Sequence, residues 1–97
     1  MKNNINSLII NQKDSVAVAI EELKDGDIAK CKVSEEIKET KIIQNVPIYH
    51  KFAIVNIKEG ELVYKYGQVI GKAINDIKVG QHVHSHNIVS IRESIEG

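Results

Sequence analysis

The sequence predicts a mainly β fold of short strands with one or two short helical turns, and three observations carry that expectation. The apolar residues arrive in short runs dominated by Ile, Val, Leu and Ala, with one Phe and no Trp, and Ile and Val favour strands. Between these runs stand clusters of Gly, Asn, Asp and Ser, the residues that turns select. One turn-shaped pattern then recurs: an apolar residue, Lys, any residue, Gly, any residue and an apolar residue. Its copies are Leu23-Lys24-Asp25-Gly26-Asp27-Ile28, Ile57-Lys58-Glu59-Gly60-Glu61-Leu62 and Ile77-Lys78-Val79-Gly80-Gln81-His82, the last closing on His before Val83. The unequal spacings, 34 and 20 residues, do not suit a stacked solenoid, so the pattern describes a reused turn, architecture rather than chemistry.

Taken in order, Ser7–Ile10 and Val16–Ile20 are β-favouring runs separated by the turn chemistry of Asn11 to Ser15, which predicts two strands at the start. Glu21 to Asp27 has too few apolar residues at helical spacing for more than one helical turn. Ser34 to Thr40 is the most charged stretch and suits a hairpin or a short solvated helix. Pro47 removes a ladder donor and marks a strand edge or loop entry. Phe52 to Ile57 reads as a buried strand. Lys65-Tyr66-Gly67-Gln68 is a further turn, and Gly67 and Gly71 permit unusual backbone angles or close approach. A chain of 97 residues fits one domain spanning 1–97, with 1–6 and 91–97 expected to be flexible.

Composition excludes several classes. Thirteen basic and thirteen acidic residues cancel, which leaves no positive field for a nucleic-acid backbone. The apolar runs fall short of the roughly 20 residues a membrane span needs. Cys31 has no partner for a disulfide, a zinc clip or a redox pair, and reads as a small, partly buried hydrophobe in a reducing compartment. The expected location is the cytoplasm. Neither a nucleophilic triad nor a phosphate-binding Gly-rich motif is visible.

Candidate chemistry concentrates in His82-Val83-His84-Ser85-His86-Asn87. If the segment is extended, His82, His84 and His86 share one face. A rise of about 3.3 Å per residue then sets the outer two roughly 13 Å apart, too far to meet at one ion unless the chain bends. His82 with His84, or His84 with His86, could share an ion whose shell is completed by carboxylates or another chain. The competing reading is a row of solvated histidines on an edge strand, and spacing alone does not decide. Asn87 reads as the turn residue after the strand, able to take a left-handed conformation, with its amide also toward the site. His50 alone reads as a surface or capping histidine. Lys65 and Lys72 flank the glycine turn and could meet carboxylates, although most lysines are merely solvated. Tyr64 and Tyr66 receive no proton-transfer role.

Across most of its length the sequence resembles the amino-terminal region of the altronate and galactarate dehydratase family, a domain of the SAF or β-clip type. The resemblance is carried by Asp14-Ser15-Val16-Ala17-Val18-Ala19, His50-Lys51-Phe52-Ala53, Ile57-Lys58-Glu59-Gly60, Tyr64-Lys65-Tyr66-Gly67, Ile70-Gly71 and Gly80 to Asn87. It implies the small subunit of a split hydro-lyase of the altronate dehydratase type. Such an enzyme removes water from a hexonate to give a 2-keto-3-deoxy acid, and a separate large catalytic subunit supplies most of the site. The isolated chain is then expected to be inactive. The resemblance further implies a divalent metal, iron (Fe2+) or else Mn2+, held largely by the large subunit. Of His82, His84 and His86, one or two would be ligands shared with that partner. His84 and His86 are the expected catalytic residues; His50, Lys65 and Asn87 are expected to face a small sugar-acid substrate. A galactarate-type dehydratase, the small subunit of a sulfolactate sulfo-lyase, a non-catalytic sugar-acid or metal-binding module, and a homo-oligomer of the isolated chain stay open.

Overall fold

A computed structural model of the chain describes residues 5–9, 11–33 and 35–90. Nine strands run in order: β1 (Ser7–Leu8), β2 (Val16–Ala19), β3 (Ile28–Val33), β4 (Glu36–Lys41), β5 (Lys51–Ala53), β6 (Leu62–Lys65), β7 (Gln68–Ala73), β8 (His82–Val83) and β9 (Ile88–Val89). Six form one sheet in the order β4-β3-β1-β2-β5-β8, and β6-β7-β9 form a second. The fold is mainly β, as the sequence predicts. No helix occurs among the described residues, so the expected helical turns are replaced by β-turns and bridges. The charged stretch, described over 35–40, belongs to a hairpin in which β3 and β4 are paired from Ile28↔Lys41 to Val33↔Glu36. The buried strand expected over Phe52 to Ile57 ends at Ala53, and Ile57 continues only as an isolated bridge to Ile77. Residues 1–4 and 91–97, part of the expected flexible ends, lie outside the described residues. Asn6 is tied down: its backbone N–H donates to Lys30 O at 3.1 Å and its Oδ1 accepts from Lys30 N at 2.7 Å.

Two cores sit on opposite faces of a shared layer. All four residues of β2 are buried, which a strand covered on both faces requires. Period-two alternation sorts its side chains: Ala17 and Ala19 join Leu23, Ala29, Cys31, Ile42, Val46 and Phe52, whereas Val16 joins Ala53, Ile57, Val63, Ala73, Ile77 and Val83. Neighbouring β5 divides the same way, Phe52 to the first core and Ala53 to the second. Cys31 is fully buried with its Sγ 2.8 Å from Ser7 Oγ, and burial pushes its thiol pKa up; it is a packing residue.

The recurring turn is the unit from which both cores are built. In each of its three copies the side chain three residues beyond Lys accepts a hydrogen bond from the Lys N–H: Lys24 N to Asp27 Oδ2 at 2.8 Å, Lys58 N to Glu61 Oε1 at 2.8 Å, and Lys78 N to Gln81 Oε1 at 2.9 Å. The glycines have φ of 100°, 92° and 89°, the left-handed region that side chains resist. The structure adds a fourth copy, Val46-Pro47-Ile48-Tyr49-His50. Its His50 N donates to Pro47 O as Asp27 N does to Lys24 O, and Tyr49, with φ of 70°, stands where the others have Gly. The copies pair through the bridges Leu23↔Val46 and Ile57↔Ile77, one pair for each core. Within a pair each turn hydrogen-bonds the residue four positions before its partner's bridge: Gly26 N to Ile42 O, Tyr49 N to Ala19 O, Gly60 N to Ala73 O and Gly80 N to Ala53 O.

Candidate functional site

The site starts from the register of β5 and β8. Phe52 pairs with His82 and Lys51 with Val83, so the next position sets His50 opposite His84, on the face that carries Phe52 into the core. The His50 and His84 rings stack with centroids 4.5 Å apart, those of His50 and His82 at 5.1 Å, and those of His82 and His84 at 5.7 Å. His50 Nδ1 lies 2.9 Å from His82 Nε2, one nitrogen carrying the proton and the other accepting it.

His50 is free for this role because of its place in the turn. In the sister turns the residue at this position caps the N–H of Lys24, Lys58 or Lys78. In the fourth turn that residue is Pro47, which has no N–H, so the His50 imidazole has no cap to make and points to the cluster. The sequence reading missed this link because the fourth copy keeps neither Lys, Gly nor the acid or amide.

The histidine segment is not extended. Strand β8 ends at Val83, and residues 84–87 form the corner that passes the chain from the six-stranded sheet to β9 in the other. Asn87 holds this corner. Its Oδ1 accepts from His84 N at 2.9 Å and its Nδ2 donates to His82 O at 2.8 Å, while its own N–H donates to His84 O at 3.0 Å. Asn87 is buried and not left-handed; its amide is engaged with the backbone. The bend removes the roughly 13 Å separation expected of an extended strand and brings the His86 ring within 5.3 Å of His82.

Three side chains therefore present ligand atoms together: those of His50, His82 and His84 all lie within 4.8 Å of one another. His86 flanks this group. The set passes a chemical test for a metal. Nitrogens on one ion at 2.0 to 2.1 Å stand roughly 2.9 to 3.4 Å apart, which the His50–His82 pair meets at 2.9 Å, and the wider pairs, within 4.8 Å, would need the exposed His84 ring to turn inward. His82 and His84 also favour the neutral form that ligates. Burial, then the charges of His50, His86, His84 and Lys51, push His82 from 6.5 down to about 4. Desolvation, then His50, Lys51 and His86, lower His84 as well.

One ammonium group borders the cluster, that of Lys51, whose charge acts on both His82 and His84. Burial and then the Lys65 charge lower Lys51, which the sequence reading did not single out. Lys65 itself lies over the Tyr66 ring, 4.9 Å from its centroid, at the Tyr66-Gly67 hairpin and outside the imidazole group. The only ion pair among the described residues joins Lys24 to Glu22, so neither Lys51 nor Lys65 has a carboxylate partner there. No helix of the described residues is long and apolar enough to cross a membrane.

With this geometry in view, the comparisons with known proteins are specific. The chain is 42% identical over 78 residues to altronate dehydratase of Escherichia coli (strain K12), a match covering 80% of this chain and 15% of that protein. It is 35% identical over 79 residues to altronate dehydratase of Bacillus subtilis (strain 168), with the same two coverages. It is 49% identical over 43 residues to (2R)-sulfolactate sulfo-lyase subunit alpha of Paracoccus pantotrophus, a match covering 44% of this chain and 64% of that subunit. The chain thus spans about a seventh of the length of the altronate dehydratases it matches. Residues 5–91 match the altronate/galactarate dehydratase SAF domain, and the chain belongs to that family.

Proposed function

We propose that the chain is the small subunit of a split sugar-acid dehydratase that removes water from a hexonate of the altronate type, together with a large catalytic subunit. The observation that carries the reading is the convergence of His50, His82 and His84 in a chain of this family. Three histidines from one chain leave coordination positions open, which suits a site completed by substrate and a second polypeptide. His50, His82 and His84 would hold a divalent ion, and an all-imidazole set favours iron over manganese. When bound, such an ion polarises oxygen atoms of the substrate as a Lewis acid.

The reaction takes a proton from the carbon next to the carboxylate and releases the neighbouring hydroxyl, which leaves with a proton as water. The resulting enol becomes the 2-keto-3-deoxy acid. An exposed imidazole at the cluster rim can accept the first proton or deliver the second, and His86, exposed and outside the three-ligand set, is free to do so. Lys51 and, beyond it, Lys65 offer positive charge to the substrate carboxylate, and neither is ion-paired among the described residues. Asn87 serves by holding the corner that carries His84 and His86 rather than by binding substrate.

A second reading, the small subunit of a sulfolactate sulfo-lyase, is favoured by the 64% of a separate alpha subunit that the match covers. One experiment separates these readings from a free-standing binding module. The chain and a large dehydratase-like polypeptide encoded in the same genome are purified separately and mixed with Fe2+. Each of altronate, galactarate and sulfolactate is then offered, and keto-acid formation is followed. Turnover of altronate by the mixture alone is expected. No turnover of any of the three, with sugar-acid binding by the isolated chain, would overturn the proposal.

A further inference from the structure

The four sister turns supply an internal control for the one that carries His50. Where three copies present Lys24, Lys58 and Lys78, the fourth presents Pro47. Where two present Asp25 and Glu59 and the third the half-buried Val79, the fourth presents an exposed Ile48. Where all three have Gly, the fourth has Tyr49, held at φ 70° with its side chain 71% exposed. A tyrosine in the left-handed region is disfavoured, and glycine at the same place would relieve it. Among the described residues the Tyr49 hydroxyl has no hydrogen-bond partner, and most of the side chain's surface faces outward. Backbone strain of this kind is kept where the side chain serves a function.

We propose that Pro47-Ile48-Tyr49 is the docking turn by which this chain seats in an apolar pocket of its large partner polypeptide. The proposal rests on the split-enzyme reading. The altronate dehydratases carry the matching region as 15% of their length, so a much larger body of protein accompanies it there. A sugar acid is small and polar and does not call for three consecutive apolar residues, whereas an exposed aromatic beside an aliphatic is the composition of an interface anchor. The position fits as well. Tyr49 directly precedes His50, so a polypeptide that covers the turn arrives at the imidazole cluster, where it excludes water and brings the missing groups.

The test uses the complex of the full chain with the large dehydratase-like polypeptide, and two variants. Tyr49→Gly restores the sister-turn residue, and Ile48→Asp restores the sister-turn chemistry. Tyr49→Gly is expected to melt at or above the wild-type temperature, since it relieves the left-handed strain, and Ile48→Asp at the wild-type temperature; both should keep the Co2+ affinity of the isolated chain. Each should bind the large polypeptide about tenfold or more weaker, the scale of losing an aromatic anchor. An unchanged Kd for the large polypeptide would overturn the docking turn alone. So would a rise confined to KM for the sugar acid, which would make Tyr49 a substrate contact. A dimer of the isolated chain that Tyr49→Gly dissociates would assign the turn to a second copy and overturn the proposal too. Failure of the wild-type chain to associate at all would overturn the split-enzyme reading together with it.

Discussion

His50 Nδ1 and His82 Nε2 lie 2.9 Å apart although 32 residues separate them in the chain, and the contact depends on a proline. With Pro47 in the first position of its turn, His50 has no backbone N–H to cap and its ring is left for His82. If His50, His82 and His84 are the ligands, His50→Ala, His82→Ala or His84→Ala should each weaken Co2+ binding by about tenfold or more, the loss of one of three imidazoles. His86→Ala should change it by less than about threefold, since His86 flanks the set. Titration followed by the visible Co2+ spectrum reads both, and an equal loss in all four variants would contradict the three-ligand assignment.

The depressed pKa of His82 makes stability depend on pH in a defined direction. In the unfolded chain this imidazole titrates near its ordinary 6.5, and in the folded chain at about 4. Between those values the unfolded state binds the extra proton, so the contribution of His82 is fully present above 6.5 and is lost as pH falls toward 4. The urea midpoint should therefore drop from pH 7 to pH 4.5, and His82→Asn should show a smaller drop over the same window. Equal slopes for the two proteins would show that His82 is not held neutral.

Asn87 is a buried side chain whose polar atoms both serve the histidine corner. Asn87→Ala removes the acceptor for His84 N and the donor for His82 O, and should cost about 2 kcal/mol, the scale of unsatisfied part-buried groups. Asn87→Asp keeps the acceptor, loses the donor and sets a carboxylate against the His82 carbonyl. Both variants should weaken Co2+ binding, because the bend that gathers the rings depends on Asn87. Chemical denaturation and the Co2+ titration together test this; a stable Asn87→Ala variant with wild-type affinity would refute the clamp.

Much of this arrangement was legible in the sequence, and the exceptions have physical causes. Strands and turns could be read because Val16 to Ala19, the Lys-x-Gly turns and the Lys65 to Gln68 hairpin carry their own local chemistry. The turn at Glu21 to Asp27 looked open to a helical turn because its deciding contact, the bridge from Leu23 to Val46, is remote. The histidine segment looked extended because alternation says nothing of a corner between sheets, and the corner is set by the side chain of Asn87. The fourth turn was invisible because its backbone pattern and its opening apolar residue, Val46, persist while Lys, Gly and the capping acid or amide have all changed, and those changes are what release His50.

Gly80 offers the sharpest contrast among the turns. A Cβ on Gly26 meets nothing within 4 Å, so Gly26→Ala pays only for its left-handed backbone, about 1 to 2 kcal/mol. A Cβ on Gly80 would collide with Lys41 O, and the Gly80 carbonyl accepts from Ile43 N at 3.0 Å, so the turn is pressed directly against the end of β4. Backbone must move to admit Gly80→Ala, which should cost about 3 kcal/mol or more once overpacking is added to strain. The displacement would also reach the imidazole cluster, because Gly80 lies two residues before His82 and the His82 N–H is held by Gln44 Oε1 at 3.1 Å, next to Ile43. Gly80→Ala should therefore lose both stability and Co2+ affinity, and Gly26→Ala only stability. Urea denaturation of the two variants beside their Co2+ titrations decides the matter, and equal losses in stability would show that the close approach at Lys41 carries no weight.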